Sequence, residues 1–195
     1  MENRKRKRLA GLAVLLLAIA MLLAACATGA TDTAEKIELG QKYLTEANYT
    51  EAIAAFTEVI KIDPSNIEAY MGRAEAYKGL KQYDDAKADY TEVIGKTDEM
   101  PYTQAQAYMG RAEAYVVLKQ YDDAKTDYTT AIEKAVEQPY TRAEAYVGRA
   151  EVNEVTNANE AALSDYESAQ NILDSIDWSK FKEITEQMLK ALQEK

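Results

Sequence analysis

From residue 34 onward, apolar residues recur at intervals of three and four, with charged and polar residues between them. That period belongs to amphipathic helices. Turn residues and Pro64, Pro101 and Pro139 break the pattern into predicted helices at about 34–46, 50–62, 66–80, 84–97, 102–118, 122–137, 140–156, 159–174 and 178–193. The last of these carries Trp178, Phe181, Ile184, Met188 and Leu192 on one face, opposite polar residues. The first 26 residues follow another plan: Arg4, Lys5, Arg6, Lys7 and Arg8, then an apolar run from Leu9 to Ala25 broken only by Gly11, then Cys26.

A basic cluster followed by an apolar run is the layout of a secretory signal peptide. A transmembrane helix is the competing reading, because the run approaches the ~18 to 20 residues that span a bilayer. The end of the run separates the two. Leu23-Ala24-Ala25-Cys26 resembles the bacterial lipobox, which implies cleavage before Cys26 and a diacylglyceryl thioether on its sulfur. Two acyl chains suffice for stable anchoring. The expected organisation is therefore a signal peptide at 1–25, a lipidated cysteine with a small, polar tether at 26–33, a folded part at 34–176 and a terminal helix at 177–195.

Within 34–170 one unit occurs four times. YMGRAEAYKGLKQYDDAKADYTEVI from Tyr70 returns 38 residues later from Tyr108, and again, decayed, from Tyr146. An earlier copy ending in YTEAIAAFTEVIKIDP lies 34 residues upstream of the second. Such periods mean a solenoid of helical hairpins. Ala74, Ala112 and Ala150, with Gly40 in the first copy, are small where the two helices of a hairpin meet; Ala52, Ala86, Ala124 and Ala162 match them from the second helix. Tyr43, Tyr77 and Tyr115, then Phe56, Tyr90, Tyr128 and Tyr166, fill the space so left. All 14 tyrosines fall in such columns, which marks them as packing residues. Asp84-Asp85 and Asp122-Asp123 stand where second helices begin and read as N-caps.

These units resemble tetratricopeptide repeats, whose pattern of small residues, aromatics and a closing proline is matched by KIDPSN at 61–66 and by the columns above. The resemblance implies an all-α solenoid of about four helical hairpins, at about 34–66, 67–104, 105–142 and 143–176, closed by the capping helix at 177–195. The second and third units exceed the family length by four residues. Three of these precede the proline, which predicts a longer second helix in each. The fourth unit carries Asn153 and Asn159 where its neighbours have tyrosines. The family resemblance also implies a groove lined by the first helices that binds a peptide or protein partner. The residues expected to line it are Ile37, Met71, Met109 and Val147, beside Gln41, Glu75, Glu113 and Glu151.

Composition narrows the chemistry. The chain has no histidine and a single cysteine, which removes Ser-His and Cys-His nucleophiles and Cys/His metal sites; no catalytic residue, metal or cofactor is expected. The net charge of −10 divides into +4 over residues 1–25 and −14 over the remainder, so nucleic acid is excluded as a partner. The expected role is an envelope lipoprotein that scaffolds a protein complex, anchored on the extracytoplasmic side of the cell membrane or in the outer membrane of a bacterium. A glycan- or small-ligand-binding lipoprotein is the alternative.

One correlation predicts contacts. Arg73, Arg111 and Arg149 form a column on the first helices, and Asp89, Asp127 and Asp165 a column on the second; in the first unit both are replaced together, by Leu39 and Ala55. Pairing within a unit leaves no orphan charge, whereas pairing between units would leave Asp165 unmatched. The expected ion pairs are Arg73-Asp89, Arg111-Asp127 and Arg149-Asp165.

Overall fold

The computed structural model describes residues 32–175, 185–187 and 189–190. The predicted signal peptide, Cys26, most of the tether and most of the terminal helix lie outside the described residues. Among the described residues, helices run in order as α1 over 32–45, α2 Tyr49–Ile62, α3 Ile67–Gly79, α4 Tyr83–Lys96, α5 Pro101–Val117, α6 Tyr121–Lys134, α7 Pro139–Val155 and α8 Asn159–Asp174, and 185–187 and 189–190 are also helical. Each packs on the next, and α5 also touches α7, so the chain is a stack of antiparallel hairpins with the first helices side by side. The described residues contain no strand, and no helix among them is long and apolar enough to cross a membrane.

The extra residues of the longer units do not lie where the proline pattern put them. The second helices α2, α4 and α6 all have 14 residues, whereas α5 and α7 have 17 against 13 in α3. Pro101 and Pro139 are the first residues of their helices, where the missing N–H would have had no intrahelical partner. The added turn therefore extends the first helix. Gln104 holds that turn in place, buried, with Nε2 donating to the Ile94 carbonyl at 3.2 Å. The aspartate pairs differ too. Helices α4 and α6 start at Tyr83 and Tyr121, so Asp84-Asp85 and Asp122-Asp123 lie in the first turn and make no cap hydrogen bond; they complement the helix dipole, and Asp84 also pairs with Lys87 at 3.1 Å. Asn66 is a true cap, its Oδ1 accepting the Ala69 N–H at 2.9 Å. Helix α1 begins at 32, which takes Asp32 and Thr33 out of the predicted tether.

Each hairpin turns through one residue in the left-handed region: Ala47, Lys81, Lys119 and Asn157. The amide after each donates five residues back, as from Gln82 to Tyr77 and from Gln120 to Tyr115, both at 2.8 Å, which ends the helix in a Schellman motif.

Successive hairpins meet through a column that the sequence reading did not single out. The rings of Phe56, Tyr90 and Tyr128 lie against Gly72, Gly110 and Gly148 of the following unit. A Cβ on Gly110 would stand 2.4 Å from Cζ of Tyr90. On α3 the residues facing the previous hairpin are Ala69, Gly72 and Ala76, all buried, but their counterparts on α1 are Glu35, Glu38 and Lys42, all exposed. That face is polar, as the outer face of a terminal repeat must be. At the other end Thr185 is buried and donates to Gln170 Oε1, and Leu189 packs on the cluster of Ala143, Val147, Tyr166 and Leu173.

Two glycine substitutions should have opposite signs. Gly95 on α4 has nothing within 4 Å of an added Cβ. Gly95→Ala should therefore stabilise by about 0.5–1 kcal/mol through helix propensity. Gly110→Ala gains the same propensity but forces the Tyr90 ring aside, and overpacking costs about 1–3 kcal/mol. Urea denaturation of the two variants should move the midpoint up for Gly95→Ala and down for Gly110→Ala.

Candidate binding groove

The side-by-side first helices enclose a cavity of about 310 Å³ lined by α3, α5 and α7. Met71, Glu75, Met109 and Glu113 line it as the sequence led one to expect. The added turns of α5 and α7 supply Tyr102 and Tyr140, and the turn after each supplies Gln106 and Glu144; the sequence reading left out all four. The signal for the two tyrosines was the paired PYT at 101–103 and 139–141, which recurs only in the longer units. Lys78 also lines the cavity.

Four expected groove residues do not line the cavity: Ile37, Gln41, Val147 and Glu151. Val147 is 9% exposed and belongs to the core cluster against which Leu189 packs, because the helix that closes the stack lies over this end of α7. Ile37 packs half-buried on Ala52 and Phe56, and exposed Gln41 shares its helix; neither lines the cavity, whose walls come from later helices. Glu151 is exposed on α7, near enough to Glu113 for the two charges to interact.

The groove is acidic, with one internal cation. Lys78 Nζ stands 2.5 Å from Glu113 Oε2 and 3.3 Å from Glu75 Oε1, and 5.9 Å from the centre of the Tyr90 ring. Burial alone would lower the Lys78 pKa, but the two glutamates hold it above its ordinary value. The Tyr90 hydroxyl donates to Glu75, so Glu75 is tied to the packed interior and is not a merely solvated charge. Glu144 is raised above the ordinary carboxylate range by burial, with Glu113 adding to it and the Tyr140 hydroxyl opposing. Glu151 is raised by burial, then by Glu154 and Glu113. The described residues contain no cluster of acidic or sulfur ligands able to hold a metal ion.

Beneath the groove the arginine and aspartate columns meet within each unit. Arg73 donates to Asp89 through Nε at 2.8 Å and Nη2 at 2.7 Å. Arg111 reaches Asp127 at 2.7 and 2.8 Å, and Arg149 reaches Asp165 at 3.0 and 2.6 Å. The aspartates are only 4–5% exposed. Each arginine uses its remaining Nη1 to reach back to the previous hairpin, donating to Thr57 at 3.1 Å, Thr91 at 3.0 Å and Thr129 at 2.9 Å. The threonine column was readable in advance: the fourth unit has Glu167 at that position, and no repeat arginine follows it. In the fourth unit Asn153, which replaces a tyrosine, donates to Asp165 at 3.1 Å.

A stack of hairpins whose first helices form a groove is the architecture of the tetratricopeptide repeat. The Tetratricopeptide repeat profiles match residues 43–93, 76–125 and 109–174, and the chain belongs to this family. The chain is 40% identical over 55 residues to the small glutamine-rich tetratricopeptide repeat-containing protein 2 of Saccharomyces cerevisiae, a match covering 28% of this chain and 16% of that protein. The crystal structure of MamA superposes with a TM-score of 0.64 at 20% identity, over 84% of this chain and 91% of that one. The first repeat domain of Spaghetti (RPAP3), bound to the HSP90 peptide SRMEEVD, superposes with a TM-score of 0.57 at 24% identity, over 65% of this chain and 94% of that one. At these identities the structural likeness is one of fold.

The clamp is best measured in the middle hairpin. Arg111→Leu strands a buried carboxylate and should destabilise by about 3 kcal/mol. Adding Asp127→Ala, which copies the first unit, should recover part of that loss in a double-mutant cycle by chemical denaturation. Strictly additive effects would show that the two groups do not support each other.

Proposed function

We propose that the chain is a lipid-anchored scaffold of the bacterial cell envelope that receives a segment of a partner protein in the groove across α3, α5 and α7. The observation that carries this reading is the groove itself: half-buried Met71 and Met109 on its floor, Tyr102 and Tyr140 on its rim, and carboxylates along both sides. Methionine and tyrosine adapt to varied apolar shapes without losing contact area. The acids define the other half of the recognition. The RPAP3 domain takes the acidic peptide SRMEEVD. Here Glu75, Glu113 and Glu144 in the cavity wall, with Glu151 close to Glu113, outnumber Lys78, so the fitting segment is apolar and basic. The anchor rests on Leu23-Ala24-Ala25-Cys26 and the basic and apolar segments before it. A short tether then keeps the groove close to the bilayer, where it gathers envelope components.

Crosslinking and capture of the full chain from membranes tests both halves. Gln106→Lys with Glu151→Lys neutralises the acidic excess in and beside the groove while leaving Glu75 and its Tyr90 bond intact, so stability should change by no more than about 0.5 kcal/mol. Capture of the partner should fall at least about tenfold and lose its sensitivity to salt. Unchanged capture would move the binding surface to another face. In the same membranes, wild type should partition into detergent and Cys26→Ala should remain an unlipidated precursor. A wild-type chain of unmodified mass with residues 1–25 attached would remove the anchor from the reading.

A further inference from the structure

The internal repeat turns the groove into its own control. Between α3 and α5, Lys78 bridges Glu75 and Glu113 above the Tyr90 ring, and the Tyr90 hydroxyl donates to Glu75. A shift of 38 residues carries Glu75 to Glu113, Glu113 to Glu151, Tyr90 to Tyr128 and Lys78 to Val116. The frame is preserved in space as well as in sequence. An added Cβ on Gly110 would stand 2.4 Å from the Tyr90 ring, and one on Gly148 would stand 2.4 Å from the Tyr128 ring. The acids and the tyrosine are therefore repeated between α5 and α7. The cation is not.

Two features show that this second place is left open. Tyr128 is only 5% exposed, yet its hydroxyl makes no hydrogen bond to a described residue, unlike that of Tyr90. Neither Glu144 nor Glu151 is paired with a cation among the described residues, and Glu113 gives only one oxygen to Lys78. Burial with the charges of Glu154 and Glu113 holds Glu151 above the ordinary carboxylate range, as expected of acids that face one another without a counter-ion.

We propose that Glu113 and Glu151, above Tyr128, receive a lysine or arginine side chain of the partner segment, in the position that Lys78 fills one unit earlier. This rests on the reading of the groove as a peptide-binding site and names the determinant it recognises. The cation meets both carboxylates, lies over an aromatic ring and allows the Tyr128 hydroxyl to donate to a fixed glutamate, as in the first interval. Tyr102 and Tyr140 along the α5–α7 edge leave the flanking positions of the segment apolar.

The chain's own helix can supply the missing charge. Val116→Lys places an ammonium where Lys78 stands in the earlier unit, and Val116→Met places a stem of similar length without the charge. Val116→Lys should melt about 2–4 °C above Val116→Met at low salt, with the difference lost on raising salt to about 0.5 M or on adding Glu151→Gln. The fluorescent peptide acetyl-Ala-Leu-Lys-Ala-Leu-amide should bind wild type about fivefold more tightly than its norleucine counterpart, and Val116→Lys should erase that preference. Val116→Lys melting at or below Val116→Met, or equal affinity for the two peptides, would overturn the site. A groove-bound protein captured from membranes with no response to Val116→Lys would also overturn it, while leaving the scaffold intact. Stabilisation by Val116→Lys with no protein bound in the groove would instead support the cation site and remove the scaffold reading.

Discussion

The architecture depends on one close approach: an aromatic ring of each second helix pressed against a glycine of the next first helix. Phe56 on Gly72, Tyr90 on Gly110 and Tyr128 on Gly148 set the spacing between hairpins, because no other residue leaves room for the ring. Close-packed interiors transmit such a constraint rather than absorb it. The first helices are thereby drawn side by side, and their outer surfaces become a continuous groove. The same contact aims the tyrosine hydroxyls from the core toward the groove acids, as Tyr90 reaches Glu75. Core packing and the proposed groove are thus joined in one side chain.

The arginine column locks what the rings space. Each guanidinium holds the aspartate of its own hairpin with two hydrogen bonds and the threonine of the previous hairpin with a third. Such a bidentate pair fixes orientation as well as distance. The ends of the stack show that the three columns form one device. The first unit lacks arginine and aspartate but keeps Thr57, which serves Arg73; the fourth keeps Arg149 and Asp165 but has Glu167 in place of a threonine. Each residue is present only where its partner exists.

Much of this was legible in the sequence. Four repeats, two of them near-identical, place helices, core columns and ion pairs by comparison of one unit with another. The added turn was not legible, because a proline fits equally well before a helix and at its first position. Only the backbone puts Pro101 at the start of α5, and with it Tyr102 on the groove. Val147 was misplaced for a related reason. Column comparison treats all units alike, but the last unit meets a terminal helix rather than another repeat. The glycine column was visible in Gly72, Gly110 and Gly148, yet its meaning depends on rings 16 to 20 residues away, which spacing alone does not align.

The groove gathers the departures from a perfect repeat: the extra turns, the lysine found in one interval only, and the acids left without a counter-ion. On the proposed reading, those departures concentrate recognition on α5 and its neighbours. Photo-crosslinking from benzoylphenylalanine placed at Met109 in the groove, or at exposed Thr126 on α6, tests that reading most directly in cells that express the full chain. Adducts to another protein should form from position 109 and not from 126. Adducts from 126 alone would contradict the assignment of the groove as the binding surface.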